Sequence, residues 1–101
     1  MGTFRGGWVY IMSNQHNTTL YVGVTSCLSA RVQQHKKKFF QTSFSAKYNC
    51  DKLVYYAFFN TIIEAIAEEK RLKAGSRNKK ERLIESMNPF WVDLCDSIRL
   101  L

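Results

Sequence analysis

Two short runs near the start of the chain are apolar, β-branched and aromatic, with a polar stretch between them. Gly7-Trp8-Val9-Tyr10-Ile11-Met12 is β-branched and aromatic, Ser13-Asn14-Gln15-His16-Asn17-Thr18 carries turn chemistry, and Thr19-Leu20-Tyr21-Val22-Gly23-Val24 is strand-like again. Together they predict a β-hairpin with a longer loop. Thr25-Ser26 can cap a helix from about Cys27 to Lys37, with Leu28 and Val32 four apart on its inner face. Residues 39–51 have no clean period and read as a connection whose aromatics tuck under the sheet. Lys52 to Phe59 is apolar almost throughout, which predicts a central strand with both faces covered.

The second half of the chain changes to a helical period. Thr61-Ile62-Ile63-Glu64 is a capping box that opens a helix to about Lys73, with Gly75 as its stop. Asn78, followed three residues later by Glu81, predicts the start of a short helix through Ser86, ended by Asn88-Pro89. Phe90-Trp91-Val92-Asp93-Leu94 is expected to fold back on the core. The order β-β-α-β-α-α makes an α+β fold of one small sheet and flanking helices, and 101 residues suit one domain spanning 1–101.

Composition narrows the class. With 46% hydrophobic residues the chain is too apolar to stay disordered. Its longest apolar run, Leu53 to Phe59, is far short of the roughly 20 residues that cross a bilayer, so no membrane association is expected. The N-terminal residues lack the apolar core of a secretion signal, which points to the cytoplasm. Cys27, Cys50 and Cys95 are odd in number and form no C-x-x-C pair, so reduced thiols are expected.

The net charge of +7 is unevenly placed. Lys36, Lys37 and Lys38 form one cluster, and Lys70, Arg71, Lys73, Arg77, Lys79, Lys80 and Arg82 form another. Such density suits the phosphates of a nucleic acid, with a plain solvated surface or a patch for anionic lipid as the alternatives.

Several residues in this frame could carry chemistry. Glu69 has Ala65, Ile66 and Leu72 as its helical neighbours and leans toward the core face, where a carboxylate must pair with a cation or hold a metal. Arg31 and His35, four apart, share one side of the first helix and could address one phosphate, or simply meet water. Tyr10 and Tyr21 sit on the two hairpin strands, where paired phenols serve packing or catalysis. Gly23 within a strand marks a close approach by a ligand or another backbone.

Trp8-Val9-Tyr10 and Tyr21-Val22-Gly23, with residues 11–20 between the tyrosines, resemble the paired motifs of the GIY-YIG nucleases. The likeness continues through Leu28-x-x-Arg31-x-x-x-His35, Lys47-Tyr48-Asn49, Leu53-Val54-Tyr55-Tyr56, Glu64-Ala65-Ile66, Glu69-Lys70-x-Leu72-Lys73 and Asn88-Pro89-x-Trp91-x-Asp93-Leu94. This ordered set is similar to the short, stand-alone bacterial proteins of the UPF0213 type.

The resemblance implies a three-stranded antiparallel sheet flanked by helices and metal-dependent hydrolysis of a DNA phosphodiester, cutting one strand of a branched, flapped or single-stranded substrate. It implies Glu69 as the carboxylate on one magnesium or manganese ion, and Tyr10, with Tyr21 nearby, as the group that orients or deprotonates water. Arg31 would stabilise charge on the phosphate, His35 would help activate water, and Asn88 would contribute at the edge of the site. Gly23 and the cations Lys36, Lys37, Lys38, Lys70, Lys73, Arg77, Lys79 and Lys80 would face DNA. No small-molecule cofactor is expected, and the state would be a monomer or weak dimer. The departure is Trp8, which stands where the motif has glycine. It motivates the alternative of a non-catalytic nucleic-acid-binding or adaptor module on the same scaffold.

Overall fold

In the computed structural model, which describes residues 6–38 and 43–98, the first two strands form the expected hairpin. β1 (Gly7–Ser13) and β2 (Leu20–Thr25) are antiparallel, and β3 (Lys52–Phe59) pairs antiparallel with the other side of β1. The three-stranded sheet therefore has the order β2-β1-β3. This corrects the expectation for β3: the central strand is β1, and β3 is an edge. Its apolar run ends in aromatics that stay partly open, Phe58 being 53% exposed. Its outer side is covered instead by the C-terminal segment, where Leu94 N–H donates to Leu53 O at 2.8 Å and Asp93 Oδ1 accepts from Leu53 N–H at 3.2 Å. That cover manages the unpaired backbone of an edge strand.

α1 (Leu28–Lys36) follows β2. Its N-cap is Cys27 rather than Thr25 or Ser26, and no side chain caps it. The Thr25 hydroxyl accepts from Cys27 N–H instead, forming the turn that leads in. Residues 39–42 of the anticipated connection lie outside the described residues, but the rest is not irregular. α2 (Phe44–Lys47) is one short turn of helix, capped by Ser43, whose hydroxyl accepts from Ala46 N–H.

α3 (Ile62–Ala74) has the predicted capping box between Thr61 and Glu64. α4 (Arg77–Met87) is capped by Ser76, two residues before the expected cap Asn78, with the Ser76 hydroxyl accepting from Lys79 N–H. A hydroxyl three residues before a lysine lacks the reciprocal glutamate of a capping box, which hid it. Beyond Asn88-Pro89, Trp91 is buried as expected, but Phe90 and Val92 point to solvent, and Cys95–Ile98 adds a 3-10 turn that buries Ile98. The three cysteines are free thiols.

Alternation along β1 divides the interior. Val9 and Ile11, with Val22 and Val54, meet Ala65, Leu72, Ile84 and Trp91 on the α3 and α4 side. Tyr10 and Met12, with Leu53, meet Leu28, Val32, Cys50 and Ile98 on the α1 side.

Candidate active site

Three elements converge on one pocket. Tyr21 comes from β2, Arg31, Gln34 and His35 from α1, Lys38 from just beyond it, and Ser43 and Ser45 from the cap and first turn of α2. The four-residue step of α1 sends Arg31 and His35 into the same space, as their spacing predicts. Behind the pocket wall, Tyr10 is wholly buried. Its hydroxyl is 2.8 Å from His35 Nε2, and His35 Nδ1 is 2.7 Å from Ser45 Oγ. The Tyr21 ring completes the group, 6.3 Å from the Tyr10 ring and 5.1 Å from the imidazole between centroids, with Phe44 stacked on it.

Gly23 explains how the two tyrosines fit. Tyr10 pairs with Gly23 across the hairpin, and a Cβ on Gly23 would fall 2.4 Å from the Tyr10 hydroxyl oxygen. The close approach flagged by a glycine in a strand is thus made by the Tyr10 phenol itself.

Burial sets the protonation of the pair. It drives the Tyr10 pKa far above its ordinary value, with Tyr21 and Glu69 adding to the rise and the Arg31 guanidinium opposing it. Burial, then the Arg31 charge, lowers His35 to about 4. At neutral pH the pair is a phenol and an uncharged imidazole, since the charged form of each is desolvated.

Glu69 lies on α3 with a side chain 14% exposed, which matches the core-facing lean read from its neighbours. Its Oε2 is 3.0 Å from Lys73 Nζ. Its charge is near enough to bear on the Tyr10 phenol, which links α3 to the pocket from the other layer. Among the described residues no three His, Cys, Asp or Glu side chains cluster to hold a metal. A divalent ion here would have one protein carboxylate, and the donor chemistry fits a magnesium-type ion that keeps most of its waters.

The sequence matches the family described as the GIY-YIG catalytic domain over residues 6–82. The chain belongs to the GIY-YIG family. Its fold is similar to the solution structure of the UPF0213 protein BH0048 from Bacillus halodurans, with a TM-score of 0.54 at 24% identity, covering 85% of this chain and 89% of that one. No curated protein matches the chain.

Against the GIY-YIG pattern, Trp8 replaces a glycine without entering the pocket. Its ring lies toward β3, 4.9 Å from Phe58 and 5.9 Å from Tyr56 between centroids, away from Gly23 and Tyr21 on β2. Asn88 is not among the pocket residues. It is buried, its Nδ2 donates to Val54 O and Val92 O, and its Oδ1 accepts from Val92 N–H. Those bonds tie the end of α4 to β3.

The basic clusters also divide. Lys36 pairs with Asp93, Lys73 with Glu69, and Arg77 with Glu81, while Lys80 donates to Gly75 O. Lys37, Lys38, Lys70 and Lys79 are exposed and have no ion pair among the described residues. Three pocket residues, Gln34, Ser43 and Ser45, had no place in the sequence reading. Gln34, three residues from Arg31, was open to discovery by helical spacing. Ser43 and Ser45 were not, because they sit in a segment with no period.

Proposed function

We propose that this single-domain GIY-YIG protein is a divalent-metal-dependent endonuclease that hydrolyses a phosphodiester in one strand of DNA. The observation that carries the reading is the convergence of Tyr21, Arg31 and His35 on one pocket, with Tyr10 behind it and the Glu69 charge bearing on Tyr10. Arg31 and Lys38 supply positive charge on the wall where a phosphate would develop negative charge, and the Arg31 fork suits two phosphate oxygens. Glu69 would hold a magnesium or manganese ion, which supplies Lewis acidity and activates water.

Tyr21 is the phenol on the pocket wall and positions the attacking water. Tyr10, sealed and protonated, holds the imidazole rather than meeting water directly. Lys37, Lys38, Lys70 and Lys79 contact the flanking backbone, with substrates of branched, flapped or single-stranded form favoured, and the protein acts in the cytoplasm. With either ion, the purified protein should cut labelled DNA of one of these forms. Glu69→Ala should reduce cutting to background, and equal cutting by the two proteins would overturn the assignment.

The Glu69–Lys73 pair favours a second reading. If that pair persists in the presence of divalent ions, the chain would be a non-catalytic nucleic-acid-binding module. Its signature is steeply salt-dependent DNA binding with no cleavage on any substrate form.

A further inference from the structure

The Tyr10 hydroxyl proton needs an acceptor inside the protein, because the side chain is wholly buried and buried polar groups are paired. Arg31 beside it offers only donors. The acceptor within hydrogen-bonding distance is His35 Nε2 at 2.8 Å, so the phenol donates and Nε2 is the bare nitrogen. An uncharged imidazole then carries its proton on Nδ1, which is 2.7 Å from Ser45 Oγ. Ser45 must accept it.

Ser45 is built to stay in place. Its residue is 4% exposed, its carbonyl accepts from Cys50 N–H at 2.8 Å, and it belongs to the turn capped by Ser43. Its own hydroxyl has Ser43 Oγ 3.4 Å away as an outlet, so donors run in one direction from Tyr10 through His35 and Ser45 to Ser43. With the other tautomer, Nε2–H would point at the phenol oxygen and the Tyr10 proton would have no acceptor among the described residues.

We propose that Ser45 is a positioning residue of the site: by accepting from His35 Nδ1–H it selects the tautomer that receives the Tyr10 hydroxyl, and leaves the lone pairs of the Tyr10 oxygen to Arg31. The Arg31 charge bears on that oxygen, and its guanidinium can only donate. The chain from α2 thereby fixes the guanidinium that faces the pocket. The functional half of this inference rests on the nuclease reading above.

The test is a long-range proton–nitrogen correlation spectrum of the imidazoles in the 15N-labelled full chain at neutral pH. His35 should show a protonated Nδ1 and a bare Nε2. Ser45→Ala should lose that signature, and Ser45→Thr should restore it. On cleavable DNA, Ser45→Ala should lower kcat on the order of tenfold to a hundredfold, as loss of a supporting partner to a site histidine does elsewhere, with KM little changed and with rescue by Ser45→Thr. A wild-type His35 protonated on Nε2, or an unaltered signature in Ser45→Ala, would overturn the proposal. Where Ser45→Ala does not fold, the wild-type spectrum decides the tautomer and Ser45→Cys, a poor acceptor, takes its place. The spectrum needs no substrate, so a Ser45-dependent tautomer in a protein that cuts no DNA would remove the nuclease reading and keep the positioning role.

Discussion

Val9 and Ile11 leave β1 on one side, Tyr10 and Met12 on the other, and the two sets meet different surroundings. On the α3 and α4 side the buried contacts are aliphatic, closed by Trp91. On the α1 side a phenol, an imidazole and a hydroxyl are joined at 2.8 and 2.7 Å inside the protein. Apolar burial is non-directional and tolerates small shifts, whereas buried polar groups are costly unless every partner is in place. One strand thus anchors the fold with alternate residues and holds the site with the residues between them.

Substitutions on the two sides should therefore differ in kind. The largest loss of stability is expected from Ile11→Ala, about 3 kcal/mol by removal of fully buried methylenes. Urea unfolding would measure it, and cleavage per folded molecule should persist. Gly23→Ala acts on the other side, with a cost on the order of 2 kcal/mol because a Cβ at 2.4 Å must displace the Tyr10 phenol. Here activity should fall far more than stability, and an unmoved His35 signal in that variant would break the division.

Asn88→Ala should cost about 2 kcal/mol by orphaning the Val54 and Val92 backbone groups it serves. Its cleavage per folded molecule should stay normal, which would separate Asn88 from the site. The smallest effect is one of pH. His35 is lowered to about 4 when folded, from an ordinary value of 6.5, so between those values the unfolded chain binds more protons. Stability is then complete above about 6.5 and falls as pH drops toward 4. Solvent screening of a half-buried ring limits the loss to about 1 kcal/mol. Unfolding midpoints across that range should flatten in His35→Gln if the fold of that variant is retained.

The hairpin and the α3 cap were legible because each is written in contiguous residues: β-branched and aromatic runs around a polar turn for β1 and β2, and Thr61 with Glu64 for the helix start. The place of β3 was not, since apolar content alone does not distinguish an edge strand shielded by a returning tail from a central one. The site divides on the same line. Arg31 with His35, and the inward lean of Glu69, follow from helical spacing, and the paired motifs brought the tyrosines together. The Lys73 ion pair was one of two outcomes that spacing left open for Glu69. Ser45 depends on a turn within a segment without period, and the complete burial of Tyr10 depends on how α1 closes over the sheet; neither is a local property of the chain.

At the tip of the hairpin, Arg77 of α4 donates to the carbonyls of Asn17 and Thr18, Lys52 donates to Asn17 Oδ1, and Asn14 Oδ1 accepts from Thr18 and Thr19 N–H. These bonds make the loop a clasp whose length is counted. A slip of one residue between β1 and β2 would turn Tyr10 away from Gly23 and toward the aliphatic side. Lineages that lengthened this loop would have to rebuild the clasp, so insertions should be scarcer between Asn14 and Thr19 than an exposed turn would suggest.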